Sequence, residues 1–401
     1  MSSSRDFVSR TPVQGGATDQ LRRSNLSNVL ALVHREGPLS RAELTRLTGL
    51  NRSTVGDLVA ELTDRQLVYE ALPTGGNLPG RPSPVVHAQP GVVAIAVNPE
   101  VDAIHVGLVG MSGRVVAKIR LETASAPTPS EVVTLSSAAI AGLLSGRETA
   151  LRVAGIGVAV PGQVRVSDGL VREATHMCWV DEPLSRMLSE ATGFPTWAAN
   201  AANLAMRAES VFGAGKGVDD FVYFIGGASG IGGGAVTGGQ LLSGAAGYAG
   251  EFGHSFVRSR GTECPCGATG CLEAEVTQSK LLEAVGLAPP EVGRLAARLA
   301  SSHDPGVRAL ISEQLELLAI AVRTAVNLFN PVLVVLGGFL SDLYDAGGRD
   351  GGSLLVHDAI RSAREGVRIE SAALGSEQLM IGCGELVFSE LIADPASFPL
   401  N

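Results

Sequence analysis

Apolar positions along this chain change period twice. Leu26, Val29, Leu30, Leu32 and Val33 form one stripe at helical spacing, which Gly37-Pro38 ends. Ser40 with Glu43 has the spacing of a capping box. The short helix behind it has Ala42, Leu44 and Leu47 on its apolar side. Gly49 turns the chain, and Asn51 or Ser53 opens a third helix carrying Val55, Leu58, Val59 and Leu62 at i, i+3, i+4 and i+7. A packing helix followed by two short helices around a glycine turn predicts a helix-turn-helix. After Leu67-Val68, the run from Pro73 to Pro84 reads as a β-wing passing into a linker.

From residue 92 the pattern becomes that of strands. Val92–Asn98 and Ala103–Val109 are apolar runs, and Ser112-Gly113 turns into a strand from Val115. A helix is predicted near 131–144, and Val153–Val160 is a buried strand ending at Pro161-Gly162. A second set begins at Phe221; a long helix over 305–328 precedes the strand Val332–Leu336. Strands followed by β/α alternation, twice over, predict an α/β body of two lobes around a cleft. The expected divisions are a disordered tail over 1–18, a winged helix-turn-helix and linker over 19–88, a first lobe over 89–205 and a second over 206–401.

Charge sharpens this picture. The 401 residues carry a net −9, yet residues 1–90 hold ten Arg, no Lys and eight acids, a net of +2, leaving −11 for the rest. That asymmetry suits a DNA-contacting head on an acidic body. On this reading the third helix enters the major groove and offers Arg52, Ser53 and Thr54 to bases and phosphates, while Arg81 of the wing enters a minor groove. The competing reading is a three-helix interaction module that binds no DNA. No signal-peptide core opens the chain. No run of ~18 apolar residues is uninterrupted; around Leu315–Leu340 the run is broken by Arg323, Asn327, Asn330 and Pro331. A soluble, cytoplasmic protein without a membrane partner is expected.

The densest chemistry lies between Gly226 and Glu273. A glycine-rich hairpin (Gly230, Gly232, Gly233, Gly234, Gly238, Gly239) is followed by Glu251 and His254 and then by Cys264, Cys266 and Cys271. In Cys-Pro-Cys-Gly-x-x-Gly-Cys the glycines permit the positive φ that turns three thiolates to one point. Three thiolates and an imidazole make a closed tetrahedral zinc site, which is structural, and His254 is the nearest upstream histidine. The alternatives are a disulfide or merely buried thiols. Cys178 and Cys383 read as core thiols.

Glu251-Phe-Gly-His254 and Cys264-Pro-Cys-Gly-Ala-Thr-Gly-Cys-Leu-Glu273 resemble the signature of the ROK family of repressors and sugar kinases, and the stretch from Ser40 to Leu62 is similar to the winged heads of its regulators. The resemblance implies an actin-like, ribonuclease-H-like body, with the C-terminal helix returning to the first lobe. It places Asn200, Glu251, His254 and Glu273 at positions that hydrogen-bond sugar hydroxyls. Solvated surface acids are the alternative for Glu251 and Glu273, and helix capping for Asn200. The kinase chemistry of the family does not carry over. Its Asp-x-Gly-Gly-Thr phosphate loop corresponds to Asn98-Pro-Glu-Val-Asp102, and its Asn-Asp-Ala-Asn motif reads Asn200-Ala201-Ala202-Asn203. Alanine does no general-base work, so no catalytic residue is expected. The hairpin at Gly230–Gly239 is retained, and Asn330-Pro331 to Phe339 resembles the adenosine-side motif with Phe339 in place of a glycine. The expectation is a regulator of transcription, most simply a repressor, acting on a double-stranded DNA operator as a homodimer or homotetramer. Its effector is a sugar or sugar phosphate. An active kinase with a DNA-binding head and a regulator controlled by a protein partner are the alternatives.

Overall fold

The computed structural model describes residues 17–72, 84–147, 150–348 and 355–398. The chain divides into two units, one running up to Gln89 and resuming at Glu390, the other Pro90–Ser389.

The first unit, the head, contains α1 (Ala17–Glu36), β1 (Leu39–Ser40), α2 (Arg41–Thr48), α3 (Arg52–Asp64), β2 (Val68–Ala71) and β3 (Val85–Ala88). Local chemistry sets its boundaries. Ser40 and Glu43 close the capping box of α2, Gly49 ends it in the left-handed region, and Asn51 caps α3 by accepting from Thr54 N–H. Helix α3 buries Val55, Leu58, Val59 and Leu62 and leaves Arg52 and Ser53 exposed. The strands pair antiparallel in the order β1-β3-β2, giving a winged helix-turn-helix. Its wing tip, including Arg81, lies outside the described residues, as does most of the expected tail; α1 already begins at Ala17. The turn Pro395–Ser397 belongs to the head, where Arg65 Nη1 donates to the Ala396 carbonyl at 2.8 Å. The expected division at 206–401 ran this segment on with the second lobe.

In the body, β4 (Val92–Pro99), β5 (Ala103–Gly110), β6 (Arg114–Glu122), β7 (Arg152–Val160) and β11 (Thr196–Asn200) form a sheet in the order β11-β7-β4-β5-β6. Between β7 and β11 the chain makes a small separate sheet, β8 (Gln163–Val164), β9 (Val171–Ala174) and β10 (Trp179–Glu182). The second large sheet joins β12 (Phe221–Gly227), β13 (Gly230–Thr237), β14 (Gln240–Leu241), β15 (Leu333–Gly338) and β16 (Arg368–Ser371) in the order β14-β13-β12-β15-β16. Numbered within each lobe, both sheets read 5-4-1-2-3: three antiparallel strands, then two added parallel to the first. The lobes are topological repeats.

The two parallel additions need helical crossovers. These are α4 (Pro129–Leu144) and α5 (Leu184–Thr192) in the first lobe. In the second, α7 (Leu272–Glu275), α8 (Gln278–Ala284), α9 (Leu295–Ser301), α10 (Pro305–Phe329) and α11 (Phe339–Gly347) serve, with the short α12 (Arg361–Arg364) before β16. Each lobe has its own apolar core. Helix α6 (Ala201–Phe212) follows β11, and its Ala205 and Met206 pack with Phe221, Tyr223 and Val335 of the second sheet.

The last helix, α13 (Gln378–Ala393), meets the first sheet at glycines of β5 and β7. A Cβ on Gly157 of β7 would overlap the Cys383 carbonyl, and one on Gly107 of β5 would sit 3.1 Å from Met380 Sδ. Gly157→Ala should therefore destabilise the protein by about 1–3 kcal/mol through overpacking. Gly142→Ala, in the exposed interior of α4 with nothing within 4 Å, should stabilise by about 0.5–1 kcal/mol. Urea denaturation of both variants checks the opposite signs.

Candidate sugar site and metal knuckle

The carboxyl ends of β4, β7 and β11 open onto the turn between β12 and β13. Ligands of α/β sheets bind outside such ends, and here a cavity of about 240 Å³ lies among Asn98, Gly162, Asn200, Ala201, Gly230 and Glu273. Asn200 caps α6: its Oδ1 accepts from Asn203 N–H at 3.1 Å and its Nδ2 donates to the Gly162 carbonyl at 3.0 Å. It is both a cap and part of the cavity wall. Asn203 is not part of that wall.

Glu251 precedes a 3-10 turn, Phe252–His254, so both side chains reach the cavity. His254 Nε2 lies 4.0 Å from Glu251, while its Nδ1 faces the other way, 3.5 Å from Glu273 Oε1 and 3.7 Å from Cys264 Sγ. Burial, together with repulsion from Glu273, raises the Glu251 carboxyl above its ordinary range against the opposing pull of His254. Glu273, only 6% exposed, accepts from Cys264 Sγ at 3.1 Å and from Ile231 N–H at 3.4 Å. Burial pushes its carboxyl up, but hydrogen bonds from His176 and Cys264 and the charge of both imidazoles outweigh it, and the net shift is downward.

The cysteines converge as their spacing requires. Gly267 and Gly270 take φ of 89° and 78°, and Cys264 N–H donates to the Ala268 carbonyl at 2.8 Å, closing the loop. The ligand atoms of His254, Cys264, Cys266 and Cys271 all lie within 4.8 Å of one another. Cys266 and Cys271 Sγ are 3.8 Å apart. Ligands about 2.0–2.3 Å from a tetrahedral ion stand about 3.4–3.8 Å apart, so the cluster fits one metal ion. Burial pushes the Cys264 and Cys271 thiols up, whereas a backbone N–H from Ala268 lowers exposed Cys266.

Across the cleft, the turn between β4 and β5 holds Glu100, Val101 and Asp102. Val101 N–H donates to Ser229 Oγ at 3.3 Å, Asn98 Nδ2 to Glu100 at 2.9 Å, and Arg120 pairs with Asp102 at 2.8 Å. Burial raises the Glu100 carboxyl, opposed by the Asn98 hydrogen bond. Phe339 packs its ring onto Gly226, leaving no room there for a Cβ.

Sequence reasoning left His176 without a role. It stands in the 3-10 turn Thr175–Met177, lines the cavity and lies 3.4 Å from Glu273 Oε1. The excursion β8–β10 delivers it, and strands of two to four residues carry too little periodicity to be found in sequence. Glu173 reaches the cavity by the same excursion.

The sequence profile of the ROK family matches residues 94–388. This chain belongs to the ROK family. The xylose repressor of Caldicellulosiruptor bescii is 26% identical over 395 residues, covering 94% of this chain and 98% of that protein. The DNA-binding transcriptional repressor Mlc of Escherichia coli K12 is 25% identical, covering 92% and 94%. Among solved structures, a ROK family transcriptional regulator described as a homolog of E. coli Mlc matches with TM-score 0.75 at 22% identity, over 94% of this chain and 98% of its own. A ROK family glucokinase from Streptomyces griseus, in complex with glucose and AMPPNP, matches with TM-score 0.59 at 26% identity, over 74% of this chain and 99% of its own. Regulators match nearly the whole ROK chain, head included; the kinase matches three quarters of it.

Within the ROK body, the Glu273 carboxylate raises the His176 imidazole above its ordinary pKa, by hydrogen bonding and then by charge, against the opposing effect of burial. A histidine raised in the folded state adds stability below its ordinary value, and that contribution fades as pH rises through the raised value. Glu273→Gln should bring the His176 pKa down toward the ordinary value, read by NMR titration of the imidazole.

Proposed function

We propose that this ROK-family protein is a cytoplasmic, sugar-responsive transcriptional regulator. Its head binds a double-stranded DNA operator, and its body binds a neutral sugar without phosphorylating it. One observation carries the reading: Asn200, Glu251, His254 and Glu273 meet at one cavity beside Ala201, whose methyl offers no base. Carboxylates, imidazoles and amides suit a sugar because each can accept from or donate to adjacent hydroxyls. A kinase would also need phosphate-binding amides where Glu100, Val101 and Asp102 stand. Here two carboxylates face the cleft and the Val101 N–H is engaged with Ser229. The relatives that match the full length are repressors, which favours repression by the unliganded form.

The lining of the cavity narrows the effector. It includes Glu100, Glu173, Glu251 and Glu273 but no Lys or Arg among the described residues, so a phosphate would be repelled. A neutral sugar is favoured over a sugar phosphate, and xylose is the sugar in the name of the similar xylose repressor. The cluster His254, Cys264, Cys266 and Cys271 holds a zinc ion in this reading. A closed site of that kind supplies rigidity rather than reaction chemistry, fixing His254 through Nδ1 and the helix that presents Glu273. On DNA, Arg52, Ser53, Thr54 and the wing residue Arg81 make the contacts. A homodimer would set two heads on half-sites about one helical turn apart, and the sugar would act by preferring one arrangement of the lobes by about 1–3 kcal/mol.

Thermal unfolding against sugars and sugar phosphates, with and without Mg-ATP, tests the reading. A ligand at about 100 times its dissociation constant adds about 2.7 kcal/mol. The expected result is a shift with a neutral sugar and none with Mg-ATP; an ATP shift would restore the kinase, and silence would favour a protein partner. Cys266→Ser should drop bound zinc well below one ion per chain by metal analysis and weaken the response to sugar. Arg52→Ala should weaken operator binding in a mobility-shift assay while sugar affinity stays unchanged.

A further inference from the structure

A second cavity of about 770 Å³ adjoins the sugar cavity, and the two share Glu100, His176, Ile225, Gly227, Gly230, Glu273 and Leu379 in their walls. The second cavity has an apolar wall from Val276 and Leu282 of the α7–α8 segment and from Leu287, Pro289 and Val292 beyond it. Opposite stand Val101, Asp102, His105 and Arg120. Arg120 is committed to Asp102 and Glu122, each at 2.8 Å. Among the described residues no other Lys or Arg lines this cavity to draw a phosphate, and Glu100 and Asp102 oppose an anion. The space therefore suits an uncharged group that buries apolar surface, joined to whatever occupies the first cavity.

Resting on the sugar-site reading, we propose that the effector is a glycoside: one sugar ring in the first cavity and an uncharged, largely apolar aglycone in the second, the linkage passing between Glu100, His176 and Gly230. The free monosaccharide fills the smaller part of the space and is the weaker ligand.

The test is calorimetric titration of the full chain with xylose and glucose, their methyl glycosides and their 4-nitrophenyl glycosides, in both anomers, and with disaccharides of each. The expected result is that one 4-nitrophenyl glycoside binds at least tenfold tighter than its methyl counterpart. Ser279→Trp, at an exposed position lining only the second cavity, should abolish that gain and leave the methyl glycoside within twofold of the parent protein. Val292→Glu, also at the exposed edge, should do the same. Equal affinity for methyl and nitrophenyl glycosides, a gain that survives both variants, or a disaccharide outbinding every aryl glycoside would overturn the proposal while leaving the sugar-sensor reading standing. Absence of binding by every sugar and glycoside would overturn both.

Discussion

A carboxylate taken out of water must be held by donors or positive charge, and Glu273 imposes that requirement on everything around it. It is nearly buried, and the groups that surround it come from separate parts of the chain: Cys264 from the knuckle, His254 from the 3-10 turn, Ile231 from the glycine hairpin and His176 from the first lobe. Gly230 must lack a side chain for Glu273 to reach its place, since a Cβ there would overlap Glu273 Oε2. The glycine hairpin, the knuckle and the imidazoles thus meet at one carboxylate, and the cavity lies beside them.

Much of this was legible in the sequence where function rests on spacing or on short-range chemistry. Ser40 with Glu43, Gly49 and Asn51 fix the head's helices by hydrogen bonds that span three or four residues, so the pattern and the structure agree residue by residue. Three cysteines within eight positions converge because two left-handed glycines bend so short a loop. What stayed hidden depends on distant partners. His176 reaches its carboxylate across 97 positions of sequence, by way of strands too short to show a period. Gly157 and Gly107 read as ordinary strand glycines until α13 is seen lying on them. The turn at Pro395–Ser397 has no local feature that assigns it to the head; Arg65 and the packing against α1 do.

The body also shows how one scaffold is turned from one task to another. The twofold 5-4-1-2-3 topology and the cleft are shared with ROK kinases, and fold alone does not set function. The differences are a few side chains at the cleft. A methyl stands at Ala201, carboxylates stand where phosphate amides are needed, and an aromatic ring covers Gly226. In the proposed reading these side chains bear on phosphoryl transfer, while Asn200, Glu251, His254 and Glu273 still line the cavity.

Cys266 belongs to two structures at once. Its Sγ completes the metal cluster, and its side chain forms part of the cavity wall; it is also the exposed thiol of the three, with its pKa lowered by the Ala268 amide. A sulfur shared in this way couples the knuckle to the cavity: anything that moves the cluster at Cys266 also reshapes the wall.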